Sequence, residues 1–166
     1  MELYILRHGI AHDRSHGLVD AERELTEKGR KRLRKLARAM REMGLKYDLI
    51  LTSPYARALQ TAAIVAKVLD LADRLELSPL LEPGTSPRLL IDHLAQRQGK
   101  SPVVLVVGHE PMLSTVISLL VCGTPEAEFS LRKGGLCKLS AGRLRYARCA
   151  SLEWLLTPKQ LRAGSA

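Results

Sequence analysis

Strand-length and helix-length segments alternate along most of this chain, and that alternation limits the fold more than any other feature. Residues 3–6, 48–51, 74–77 and 103–107 read as strands, the first and last almost wholly apolar. Between and after them, residues 26–43, 54–70, 87–98 and 111–121 read as helices. In the first helix Leu33, Leu36, Ala37, Met40 and Met43 recur at three- and four-residue spacing, which predicts an inward stripe. Residues 7–25 are expected to form a loop, and a Pro/Gly-rich loop precedes the third helix. Residues 135–139 and 144–156 are expected to close the sheet as a hairpin or a pair of edge strands. Such an order predicts an α/β sheet covered on both faces, and it allows a flavodoxin-like strand order among others. With 166 residues the chain suits one well-buried core and is short for two ordinary domains, so a single domain over 1–166 is expected.

Three of these strands end in the same kind of residue. Leu3-Tyr4-Ile5-Leu6 runs into Arg7-His8-Gly9, a cation, an imidazole and a permissive turn. Residues 48–51 run into Thr52-Ser53-Pro54-Tyr55-Ala56-Arg57, where Ser53 reads as an N-cap and Pro54 as the first helical residue. Arg57 then lies in the first turn, beside unpaired backbone N–H groups that favour an anion. Val103 to Val107 run into Gly108-His109-Glu110-Pro111. In an open α/β sheet ligands bind at the carboxyl ends of the strands, so parallel pairing would bring these groups to one edge. Guanidiniums with imidazoles there suit an anionic ligand.

Arg7-His8-Gly9, Ser53-Pro54-x-x-Arg57-Ala58-x-Gln60-Thr61 and Gly108-His109-Glu110-Pro111, in this order and spacing, resemble the histidine phosphatase (phosphoglycerate-mutase-like) superfamily. The resemblance is closest to its small SixA-type phosphohistidine phosphatases. Arg23-Glu24-Leu25-Thr26 is similar to the Arg-x-Leu-Thr stretch of that branch, and Leu81-Glu82-Pro83-Gly84 to its linker. The resemblance implies a phosphoglycerate-mutase-like three-layer α/β/α sandwich with a mostly parallel central sheet. It also implies two-step phosphoryl transfer without a metal or other cofactor. His8 would attack phosphorus and water would hydrolyse the resulting phosphohistidine. Arg7 and Arg57 would hold the phosphoryl oxygens, and His109 would add an imidazolium-like donor. Cationic neighbours would keep His8 neutral. Arg23 is carried over as a further phosphate ligand, with a surface charge as the alternative.

Mutases and sugar phosphatases of the wider superfamily use a carboxylate as general acid and carry capping helices. Here Glu82 stands near the acid's expected place, but Pro83 and Gly84 follow it. Residues 70–102 have room only for one short strand and one helix, hence a minimal cap. Glu110 reads as a helix-start residue. An open site suits a phosphorylated protein, and a histidine phosphotransfer domain and a phosphotransferase-system protein both stay open as partners. The alternatives are a small-molecule phosphomonoesterase and a noncatalytic basic binding module.

Composition bears on partners. The formal charge is +9, and residues 28–41 carry eight of the cations. A solvated face, a dock for an acidic protein and a nucleic-acid footprint are the readings. Aromatics make up 4% of the chain and none interleaves with this run, which argues against a specific nucleic-acid platform. No apolar run nears the ~20 residues that span a bilayer, and no secretory signal opens the chain, so a cytoplasmic protein without membrane contact is expected. Cys122, Cys137 and Cys149 read as small, partly buried thiols. His8, His12 and His16 have a four-residue, metal-like spacing. Gly9, Asp13, Ser15 and Gly17 argue against a helix there, and His93 reads as a surface or boundary residue. Oligomeric state is not readable.

Overall fold

The computed structural model describes residues 1–13 and 19–163. Its strands are β1 (Glu2–Arg7), β2 (Leu49–Thr52), β3 (Leu75–Leu77), β4 (Val103–Gly108), β5 (Leu136–Ala141) and β6 (Ala150–Leu156). Its α-helices are α1 (Glu27–Glu42), α2 (Ala56–Val68), α3 (Pro87–Arg97), α4 (Met112–Cys122) and α5 (Pro158–Ala163). The six strands form one sheet in the order β3-β2-β4-β1-β5-β6. The pairs β3–β2, β2–β4 and β4–β1 are parallel, and β1–β5 and β5–β6 are antiparallel.

The near-continuous apolar runs are explained by burial on both faces. Along β1, Leu3 and Ile5 pack on one side with α3 and α4, while Tyr4 and Leu6 pack on the other with α1, α2 and α5. Val104 and Val106 alternate in the same way with Leu105 and Val107 on β4. The result is the expected three-layer α/β/α sandwich.

Several boundaries differ from the sequence reading. α2 begins at Ala56 and not at Pro54, so Ser53 is not its N-cap. β5 lies between β1 and β6, leaving only β6 as an edge at that end; the hairpin reading is the one that holds. α5 was not foreseen. Met43 falls at the C-cap of α1 and is exposed. Cys122 is also exposed, while Cys137 is buried in β5. Burial pushes the Cys137 thiol up to about 12. Most of the cations of α1 face solvent, opposite the buried Leu33, Leu36, Ala37 and Met40. His93 is half-buried. Among the described residues, no helix is long and apolar enough to cross a membrane.

The start of α1 fixes the loop that follows β1. The Thr26 hydroxyl accepts from Gly29 N–H at 3.0 Å, and the Thr26 backbone N–H donates to the Ile10 carbonyl at 2.9 Å. Gly29 lies so close that a Cβ there would stand 2.1 Å from the Ile10 oxygen. That oxygen is backbone and has no side chain to swing aside. Gly29→Ala is therefore expected to destabilise the fold by about 2–3 kcal/mol, despite the better helix propensity of alanine. Urea unfolding checks this, and an unchanged or raised midpoint would show that the helix start is free to move.

Candidate active site

Because β2, β4 and β1 are parallel neighbours, their C-terminal ends bring the three sequence motifs together. A pocket of about 270 Å³ opens there, lined by Arg7, His8, Ala11, Asp20, Arg23, Arg57, Pro83, His109, Glu110 and Lys133. The motifs also hold one another in place. Gly9 N–H donates to the Thr61 hydroxyl at 3.1 Å, and that hydroxyl donates to the Arg57 carbonyl at 2.7 Å. The Gln60 side-chain oxygen accepts from Leu25 N–H at 2.9 Å. Gln60 and Thr61 thus tie α2 to the loops that carry His8 and Arg23.

His8 is only 7% exposed, and its Nδ1 lies 2.7 Å from the Gly9 carbonyl. A carbonyl only accepts, so Nδ1 carries the proton and Nε2 keeps its lone pair. Burial first, and then Arg57, Arg7 and Lys133, lower the His8 pKa to about 4, against the opposing effect of the Gly9 hydrogen bond. His109, 4% exposed, is lowered to about 3 by burial and by Arg57 and His8. The two ring centroids are 5.1 Å apart. Both rings are therefore neutral near pH 7 in the resting protein.

The arginines are oriented by protein acceptors, the pocket-lining Asp20 among them. Arg7 Nη1 donates to the Leu131 carbonyl at 2.9 Å. Arg57 Nη1 donates to the Asp20 carbonyl at 2.7 Å and Nη2 to the Asp20 carboxylate at 3.0 Å. Arg23 Nε reaches the other Asp20 oxygen at 2.9 Å, and its Nη1 reaches the His12 carbonyl at 2.8 Å. Burial raises the Asp20 pKa, but the hydrogen bonds from Arg57 and Arg23 outweigh it and hold the carboxyl below its ordinary value. Asp20 therefore stays ionised and bridges the two guanidiniums.

Four buried polar atoms of the pocket residues have no partner among the described residues: Arg7 Nε, Arg57 Nε, His109 Nδ1 and Glu110 Oε1. Orphaned buried polar atoms are costly in a resting protein; an incoming oxyanion would satisfy the guanidinium N–H groups, and His109 Nδ1 when it carries a proton, whereas Glu110 Oε1 only accepts. Glu110 Oε2 accepts from the Ser114 hydroxyl at 2.5 Å.

Arg7, His8, Arg57, His109 and Arg23 thus meet in one pocket. Glu82 does not line it; it lines an adjoining groove with Leu81, Pro83, Met112 and Thr115, and Glu110 is the carboxylate shared by both. Asp20, Lys133 and the Leu131 carbonyl were missed in the sequence. His12 is exposed in a non-helical stretch, and His16 lies outside the described residues, so the four-residue histidine spacing does not fall on a described helix.

The buried neutral histidines make stability depend on pH in a stated direction. Their folded-state pKa values lie below the 6.5 of an ordinary histidine. Between pH 6.5 and about 4 the unfolded chain binds protons that the folded one does not, so stability falls as pH falls through that window. Each pKa unit corresponds to ~1.4 kcal/mol. Urea unfolding at pH 7 and pH 5 should show the loss, and His109→Ala should reduce it. An equal loss in both proteins would assign it to other groups.

Known proteins resemble this chain in sequence and in fold. Residues 3–82 match the model of the histidine phosphatase superfamily (branch 1). An uncharacterized protein of Picosynechococcus is 36% identical over 146 residues, which span 87% of this chain and 88% of that one. The phosphohistidine phosphatase SixA of Escherichia coli K12 is 25% identical over 167 residues, covering 100% of this chain and 99% of the relative. A solved structure of the protein histidine phosphatase SixA complexed with tungstate superposes with a TM-score of 0.82. It shows 25% identity over 97% of this chain and 99% of the other.

Proposed function

The chain belongs to the histidine phosphatase superfamily, in its SixA-like branch, and from that premise we propose that it hydrolyses phosphohistidine on a protein through a phosphohistidine formed on His8. The observation that carries this reading is that Arg7, Arg57 and His109, whose Nε, Nε and Nδ1 have no partner among the described residues, line one pocket with a neutral His8. Tungstate, which the SixA structure holds, is a tetrahedral oxyanion of phosphate's shape.

In the first step His8 Nε2 attacks phosphorus, the P–N bond to the substrate breaks, and the substrate imidazole leaves. It leaves neutral when its distal nitrogen carries a proton, so no strong general acid is required. The two guanidiniums and the His109 N–H stabilise charge on the equatorial oxygens. In the second step water attacks the phosphoryl group, the bond to His8 breaks, and inorganic phosphate departs. The protein cations supply the electrostatic stabilisation, so turnover in the presence of a metal chelator is expected to equal turnover in its absence.

Access favours a side chain presented by another protein. Between β3 and α3 the chain adds only a single 3-10 turn, Pro79–Leu81, and no capping helix. A histidine phosphotransfer domain and a phosphotransferase-system protein both fit such a mouth. The cations on α1 serve, on this reading, as a solvated face rather than a nucleic-acid platform.

The test compares kcat/KM for a phosphohistidine protein, an aryl phosphate and a sugar phosphate, each with the native enzyme and Glu82→Gln. The expected result is preference for phosphohistidine and near-native rates in the variant. General acid assistance is typically worth ~10²–10⁴-fold, so a large Glu82→Gln defect with efficient sugar phosphate cleavage would favour a small-molecule phosphomonoesterase instead. No turnover of any phosphorylated compound would favour a noncatalytic binding module.

A further inference from the structure

His109 lines the pocket and its Nδ1 has no partner among the described residues; what decides whether that nitrogen donates or repels lies on the other side of the ring. Nε2 is 2.9 Å from the Ser53 hydroxyl, which is fully buried. The same hydroxyl oxygen lies 3.2 Å from Tyr55 N–H, which can only donate, so Ser53 Oγ accepts there. Two arrangements of protons remain.

If Nε2–H donated to Ser53, the hydroxyl would accept twice. Its own proton would then have no acceptor among the described residues, and His109 Nδ1 would turn a bare lone pair on an incoming oxyanion. If Ser53 O–H donates to Nε2, the hydroxyl is satisfied in both directions. The ring proton then sits on Nδ1, the atom of this pocket-lining residue that lacks a partner among the described residues. A buried hydroxyl without an acceptor and a lone pair opposed to an anion are both unfavourable, which selects the second arrangement.

We propose that Ser53 is a positioning residue that holds His109 in its Nδ1–H form, so that the neutral ring donates to a phosphoryl oxygen. The two histidines then share a tautomer and use it oppositely. His8 spends its Nδ1–H on the Gly9 carbonyl and presents a lone pair; His109 spends its Nε2 lone pair on Ser53 and presents a proton. The tautomer of a histidine is set by the hydrogen bond at its second nitrogen. The catalytic side of this inference rests on the phosphoryl-transfer reading; the tautomer itself does not.

Two measurements test it. Long-range ¹H–¹⁵N correlation spectra of the resting protein, labelled at histidine, read the tautomer of His109 directly. The expected state is Nδ1–H in the native chain, shifted toward Nε2–H in Ser53→Ala. Native His109 in the Nε2–H form would overturn the proposal. In turnover of a phosphohistidine peptide, Ser53→Ala should lower kcat by about 10–100-fold with little change in KM. In a His109→Ala background the same substitution should cost less than about twofold. An equal loss in both backgrounds would reduce Ser53 to a structural role and overturn the proposal. Nδ1–H in a native protein that turned over no phosphorylated compound would uphold the tautomer and sink the phosphatase reading.

Discussion

His8→Ala is expected to lose turnover by roughly 10⁴-fold or more while remaining folded. The residue stands on the turn after β1, and among the described residues its ring makes one hydrogen bond, to the neighbouring Gly9 carbonyl. Deleting it removes the nucleophile without breaking the contacts between Gly9 and Thr61 that hold the turn. Rapid quenching of the native enzyme with a radiolabelled phosphohistidine protein should leave an acid-labile, base-stable label on His8. The same variant carries a second signature. It lacks one of the two buried neutral histidines, so its stability should fall less than the native protein's between pH 6.5 and about 4. Full activity in His8→Ala, or label on a serine or cysteine, would overturn the covalent route. Lost activity with an unchanged pH slope would retain His8 as nucleophile and reject its depressed pKa.

The groups that line the pocket and are proposed as catalytic were legible because each is a local event. Arg7-His8-Gly9, Arg57 and His109 stand directly after apolar strands, and parallel pairing follows from the intervening helices, so their convergence needed no knowledge of packing. Two-sided burial also left its mark, as runs such as Val103 to Val107. Residues that orient the catalytic groups were not legible. Asp20 meets Arg57 across 37 positions of chain, from a short 3-10 turn, and nothing local marks that contact. The Leu131 carbonyl that steers Arg7 is backbone, which any residue supplies. Ser53 was misread for a physical reason: Ser-Pro is a sound helix-start signal, yet its hydroxyl accepts from Tyr55 N–H two residues on while α2 starts only at Ala56. Gln60 and Thr61 stood inside a recognised motif, but their work, fastening the loops of His8 and Arg23 to α2, depends on contacts distant in sequence.

Arg57→Lys is expected to lower kcat for phosphohistidine by about 10²–10³-fold, equivalent to ~2.7–4 kcal/mol of transition-state stabilisation. The substitution keeps the charge, so the size of the effect must come from geometry. Arg57 is 4% exposed and divides its five N–H groups between two tasks. Nη1 and Nη2 hold the Asp20 carbonyl and carboxylate, while Nε of this pocket-lining residue has no partner among the described residues and is the N–H left for a phosphoryl oxygen on the proposed reading. The planar fork lets one side chain do both at once. A lysine ammonium is a single point on a flexible stem. It can remain with the ionised Asp20 or reach the phosphoryl oxygens, and either choice leaves one anion without its donor. Because Asp20 also binds Arg23, the ammonium's loss from Asp20 would be partly offset there, whereas the phosphoryl group would have no replacement for Nε. The defect should therefore appear mainly in kcat and in the affinity for inorganic phosphate, with only a small change in unfolding temperature. Steady-state kinetics and phosphate titration of the folded variant measure both. Near-native kcat with native phosphate affinity would mean that Arg57 serves Asp20 alone and that the phosphoryl group is held by Arg7 and His109.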